Sequence, residues 1–128
     1  MYLTVDFEDK RPLYQQVVDG IKELIARGEL QEGAMLPSVR QVAGDLGVNL
    51  NTIACAYRQL QEEGLVRVRH GSGAVVKTGR AAAIGEDELR KGLRAALTDL
   101  LLAGFGRREI VSMVRAELSA ARGKGGTQ

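Results

Sequence analysis

The sequence holds one cysteine, one histidine, two prolines and no tryptophan. A lone Cys55 cannot close an internal disulfide, and with His70 as the single histidine no metal-ligand cluster can be assembled. Neither Ser-His-acid, Cys-His nor paired-carboxylate arrangements stand out. HGSGA, residues 70–74, lacks the G-x-x-x-x-G-K-S/T spacing of a phosphate loop and its following helix. No catalytic residue, metal or cofactor is therefore expected. No apolar run approaches the ~20 residues of a membrane span. The opening MYLTVDFEDKR carries acids where an export signal has a basic flank and an apolar run. Together these absences predict a reduced, cytoplasmic chain that does not touch a membrane.

Apolar residues make up 45% of the 128, enough for a packed core, while aromatics are 4%, so that core must be aliphatic. This length accommodates one ordinary domain and a small appendage. The net charge of +2 decides nothing about nucleic acid; the placement of the basic groups does.

Residues 1–11 read as extended and loosely held. Pro12 suits the first turn of a helix, where its missing N–H costs nothing. Leu13, Val17, Ile21, Leu24 and Ile25 follow as a helical stripe that Gly28 ends. Gly20 inside this helix should cost about 1 kcal/mol relative to alanine. GELQEGAMLP reads as a loop. Ser38-Val39-Arg40-Gln41 fits a capping box at the start of a short helix carrying Val42, Ala43 and Leu46. After Gly47 and Val48, Asn49 is a good N-cap for a helix that buries Ile53, Ala56, Tyr57 and Leu60 and closes at Gly64.

The period then changes from helical to two. Val66 and Val68 share one face and Arg67 and Arg69 the other, followed by a glycine-flanked tip and Ala74, Val75 and Val76. That pattern is a β-hairpin with a basic outer face. TGRAAAIG is a compositional joint. Beyond it, one amphipathic helix carries Leu89, Leu93, Leu97, Leu100 and Leu101. A second, after Gly104 and Gly106, carries Ile110, Val111, Val114 and Leu118. Two such helices bury too little to form a core alone, so their apolar faces need another surface, and a second copy of the chain is expected to supply it.

Helix, short helix, tight turn, helix and basic hairpin is the order of a winged helix-turn-helix. Asn49, Asn51 and Thr52 supply short donors and acceptors at a helix start, as major-groove readout requires, and Arg40, Arg58, Arg67 and Arg69 supply cations for phosphates. Each signal alone has a plainer reading. Asparagine and threonine at a helix start are caps more often than base readers, and arginines on a strand are usually a solvated face. Their coincidence on the elements that touch DNA carries the weight.

The motifs LPSVRQVA, LGVN-N-T, YRQLQEEGL and RHGSG, spread over residues 12–76, resemble the DNA-binding domain of GntR-type bacterial transcription regulators, and the short remainder resembles the YtrA-like branch. The resemblance implies that Arg40 touches phosphate or a base. It places Asn49, Asn51 and Thr52 at the recognition-helix contacts, and His70, Gly71 and Arg69 at the wing tip. Two positions depart from the branch. Leu50 stands where proline or arginine is frequent and offers only apolar contact, as with a thymine methyl; Cys55 stands where a basic residue is frequent. For Cys55 a small tolerated side chain is preferred to a redox switch, since no resolving cysteine exists.

The expectation is thus a mainly α chain with a small β-hairpin. It divides into a winged helix-turn-helix over 1–78, a two-helix dimerisation element over 79–122 and a disordered tail over 123–128. Its function is that of a sequence-specific transcription regulator, a repressor, bound as a homodimer to a pseudo-palindromic double-stranded operator. The recognition helix is 49–63 and the wing 66–77, with Arg40, Asn49, Leu50, Asn51, Thr52, Arg58, Arg69, His70 and Gly71 at the DNA. Leu93, Leu97, Leu100, Leu101, Val111, Val114 and Leu118 form the dimer contact. No residue specifies a small-molecule effector, and a site for one at the dimer interface stays open. The alternative is a winged helix that contacts protein without binding DNA.

Overall fold

The computed structural model describes residues 1, 3–69, 73–77 and 85–122, without the side chains of 121 and 122. Its elements are α1 (Leu13–Ala26), β1 (Met35–Leu36), α2 (Val39–Leu46), α3 (Leu50–Glu62), β2 (Val66–Val68), β3 (Ala74–Val76), α4 (Glu86–Leu102) and α5 (Arg107–Arg122). The expected compositional joint and the tail fall largely or wholly outside the described residues.

α1 forms because apolar side chains recur every three to four positions, and it buries Val17, Val18, Ile21 and Leu24. Pro12 sits at the cap position, outside the first turn where it was expected. Its extended ψ of 147° precedes the helix, and its carbonyl accepts the Gln15 and Gln16 N–H groups at 3.1 and 3.2 Å. The N-terminal stretch is not loosely held as its sequence suggested. Gln16, buried within the apolar stripe, accepts the Asp6 N–H at 2.8 Å and donates to the Asp6 and Arg11 carbonyls at 3.0 and 3.1 Å. A buried amide so fully bonded fixes the strap in place. Leu3 then packs across α1, with its Cδ2 2.9 Å from where a Cβ on Gly20 would lie. Gly20 therefore trades helix propensity for this close approach.

α2 and α3 carry the N-caps their sequences predict, although among the described residues the Gln41 side chain does not reach back to complete the capping box at Ser38. The Ser38 hydroxyl accepts the Gln41 N–H at 3.1 Å, and Asn49 Oδ1 accepts the Asn51 N–H at 2.7 Å. Gly47, left-handed at φ 70°, ends α2 and sets the sharp turn into α3. α3 lies against both α1 and α2. Its Ile53, Ala56, Tyr57 and Leu60 are the centre of the core, together with Ile21, Leu36, Val66 and Val76.

The hairpin is part of a three-stranded antiparallel sheet of order β1-β3-β2. β1 corrects the reading of GELQEGAMLP as loop alone: Met35 pairs with Val75 and Leu36 with Ala74. Gly33 and Ala34 extend the pairing, since Gly33 N–H reaches the Val76 carbonyl and Val76 N–H the Ala34 carbonyl, both at 2.9 Å. On the other edge Val66 faces Val76, Arg67 faces Val75 and Val68 faces Ala74. Gly73, at φ 82°, lies so close to the Leu36 carbonyl that any Cβ would collide with it.

α4 begins with Glu86, Asp87 and Glu88 in its first turn, favourable against the helix dipole, and buries no residue. α5 touches α1 and buries Ile110. No helix among the described residues is long and apolar enough to cross a membrane.

Candidate nucleic-acid interface

Burial of Ile53, Ala56, Tyr57 and Leu60 leaves the opposite face of α3 in solvent, and Leu50, Asn51, Cys55 and Arg58 lie exposed on it. Asn51, Cys55 and Arg58 are spaced four and three apart, so they form one line along the helix. Two hydrogen bonds, one part-buried and one exposed, fix the neighbouring elements to it. The Tyr57 hydroxyl donates to the Pro37 carbonyl at 2.7 Å and ties the start of α2 to α3. Burial pushes the Tyr57 phenol well above its usual range, so it stays protonated and donates. The Val68 N–H donates to Gln61 Oε1 at 2.7 Å and ties the wing to the same helix.

These ties position the cations. Arg40 is exposed in the first turn of α2, Arg58 on α3, and Arg67 and Arg69 on the wing. The wing narrows at Arg69, whose N–H donates to the Gly73 carbonyl at 2.7 Å. None of these four guanidinium groups has an ion pair or side-chain hydrogen bond among the described residues. Elsewhere Arg11, Lys22, Arg27, Arg90 and Lys91 are paired with carboxylates. Lys10, Lys77, Arg94, Arg107, Arg108 and Arg115 also have no ion pair among the described residues, so it is the grouping of the four arginines around α3 that sets them apart. Unpaired cations on three elements tied to one helix make a surface suited to a polyanion.

The residues named from sequence divide by what they already do. Asn49 spends its Oδ1 on the cap, while the Asn51 side chain, exposed, has no hydrogen bond among the described residues. Thr52 is half-buried and Leu50 exposed. His70 and Gly71 lie outside the described residues. The sequence reading passed over Tyr14, which with Pro12 and Leu13 walls a groove of about 360 Å³ against Asn51, Thr52 and Cys55. Cys55 is an exposed free thiol.

At the other end, Leu93, Leu101, Val111, Val114 and Leu118 are exposed, and Leu97 and Leu100 half-buried. Leu89, Leu102 and Phe105 are further exposed apolar residues of this region outside the set named from sequence. A groove of about 480 Å³ runs between α4, α5 and the end of α1, lined by Ala26, Leu93, Leu100, Met113, Val114 and Leu118. Met113 was legible as the residue one turn after Ile110; the contribution of α1 was not, because it depends on how α5 docks. No group of three or more metal-ligating side chains exists among the described residues.

The family model for bacterial regulatory proteins of the gntR family matches residues 13–76. The chain is 27% identical over 121 residues to the HTH-type transcriptional repressor YtrA of Bacillus subtilis, with 92% of each chain covered. A transcriptional antiterminator from Listeria monocytogenes EGD-e has a similar structure, with a TM-score of 0.86 at 27% identity over 100% of this chain and 98% of that one. The structure of AraR(DBD) in complex with operator ORX1 matches 59% of this chain and 98% of its own, at a TM-score of 0.53 and 27% identity.

Proposed function

The chain belongs to the GntR family of bacterial regulatory proteins, and from that premise we propose that it is a cytoplasmic, sequence-specific repressor of transcription that binds a pseudo-palindromic operator as a homodimer. The observation that carries this reading is the exposed line of Asn51, Cys55 and Arg58 on α3, flanked by the unpaired Arg40, Arg67 and Arg69. α3 enters the major groove, with Asn51 reading a base edge and Leu50 and Thr52 in contact beside it, while Asn49 holds the helix start. The arginines take phosphates, and the wing, with His70 and Gly71 at its tip, lies along the backbone or minor groove. The name of the Bacillus subtilis relative supports repression, and the operator complex of AraR(DBD) supports the docking surface.

Residues 1–78 serve as the DNA-binding unit, and 79–122 as the dimerisation element, through Leu93, Leu97, Leu100, Leu101, Val111, Val114 and Leu118. An isologous pair built on these faces sets two α3 helices into successive major grooves, about 34 Å or a multiple apart. No catalytic step is proposed.

The test is the salt dependence of duplex binding. Displacement of counterions from several phosphates makes the logarithm of affinity fall linearly with that of salt, with a slope of about −0.9 per phosphate contacted. Arg58→Ala and Arg69→Ala should each flatten that slope by roughly one contact per protomer. Affinity that does not respond to salt would refute the assignment and favour a protein-contact role for the winged helix.

A further inference from the structure

The start of α1 is a second part of the interface. Tyr14 lies one turn before Val18 and two before Ile21, both fully buried, so it continues the α1 stripe that packs against α3. At Tyr14 this seam reaches the surface, where the side chain is 38% exposed. It comes out in the groove shared with Asn51, Thr52 and Cys55, at the base-reading end of α3. Its neighbours in the groove are Pro12 and Leu13. Among the described residues its hydroxyl has no hydrogen-bond partner, unlike that of Tyr57, which is spent on Pro37.

An α-helix with its side chains is about 10–12 Å across and fills a major groove of about 12 Å. Whatever flanks the seated end of α3 therefore meets the sugar-phosphate wall. A tyrosine there combines a flat apolar ring, to cover sugar, with a neutral donor for a phosphate oxygen. Anchorage of the ring in the α1–α3 seam reduces the freedom lost on binding, and only two torsions need fixing. Resting on the DNA-binding reading above, we infer that Tyr14 donates its hydroxyl to a backbone phosphate of the strand bordering the α3 groove, and that Pro12 and Leu13 cover the adjoining sugar. This contact positions α3 and carries no base preference.

A neutral donor differs from the arginines in a measurable way: it releases no counterion. Tyr14→Phe keeps the ring and the seam and removes only the donor. It should weaken binding by at least about tenfold per protomer, as loss of a hydrogen bond to a charged acceptor does. The loss should be equal for a duplex from upstream of the protein's own gene and for a scrambled duplex of the same length. The slope against salt should stay at its wild-type value, whereas Arg58→Ala flattens it. In an ethylation-interference experiment, one modified phosphate that weakens the wild type should have no further effect on Tyr14→Phe.

If Tyr14→Phe binds both duplexes as tightly as wild type while Asn51→Ala alters base preference, the Tyr14 contact is wrong and the DNA-binding reading stands. If Tyr14→Phe changes the preferred base, the hydroxyl meets a base edge and the phosphate assignment is overturned. If the wild-type protein binds neither duplex with salt dependence, the DNA-binding reading fails and this contact with it.

Discussion

Every buried apolar residue of the described chain except Ile110 lies between Val17 and Val76. Over that stretch three helices and a small sheet close on one another, and each polar bond at their junctions has a partner within the same fold. Residues 86–122 do the reverse. Their helices are amphipathic too, yet α4 buries nothing and α5 a single isoleucine. Periodicity thus says that a face is apolar and is silent on whether the chain itself covers it. One region owes its order to contacts within the molecule, and the other carries an apolar surface that the described residues leave open; under the proposed dimer a second copy covers it, which makes its burial depend on concentration.

The largest expected effect strikes the self-contained half. Ile53→Ala removes a fully buried side chain from the centre of the core and should cost about 2–5 kcal/mol in denaturant unfolding. The difference from wild type should be the same in dilute and concentrated solution; a loss below ~1 kcal/mol would show that α3 is not the core helix. Next is Val114→Glu, which places a charge on the exposed face of α5. It should raise the dimer dissociation constant by at least about a hundredfold in sedimentation equilibrium, while the unfolding of the separated monomer is unchanged. A variant that assembles like wild type would move the dimer contact away from these helices.

Two neighbouring asparagines sharpen the comparison within α3 itself. Asn51→Ala should reduce discrimination at one base pair by about 1–3 kcal/mol, read by competition between duplexes that differ at single positions, with stability unaffected. Asn49→Ala should do the converse and lower stability by about 1 kcal/mol through loss of the cap. If Asn51→Ala leaves every base preference intact, that residue is only part of a helix start. A Asn49→Ala variant as stable as wild type would mean that its Oδ1 contributes nothing to the turn.

The sequence made much of this legible, for reasons that can be named. The three helices of the first half announce themselves through spacing and through Ser38, Gly47 and Asn49 at their ends, because capping is local chemistry. The wing follows from strict alternation at Val66, Arg67, Val68 and Arg69. β1 did not show, since two residues cannot display a period, and Met35–Leu36 is a strand only because Val75 and Ala74 lie beside it. The spacing of the α1 stripe does not mark Gln16; its role emerges only when Asp6 and Arg11 fold back over it. Tyr14 was hidden for the same reason. Its place at the surface end of a seam depends on how α1 meets α3, a long-range packing fact that no local pattern encodes. Both faces of Asn49, cap and candidate contact, were readable, and the 2.7 Å bond from the Asn51 N–H shows the cap.

The most direct measurement is a fluorescence-anisotropy titration near physiological salt, comparing a duplex from upstream of the protein's own gene with a scrambled duplex of equal length. The predicted result is binding at least about a thousandfold tighter to the upstream duplex, the margin that separates specific from non-specific recognition. Equal affinity for that duplex, for the scrambled one and for a library of duplexes of random sequence would contradict sequence-specific recognition by α3.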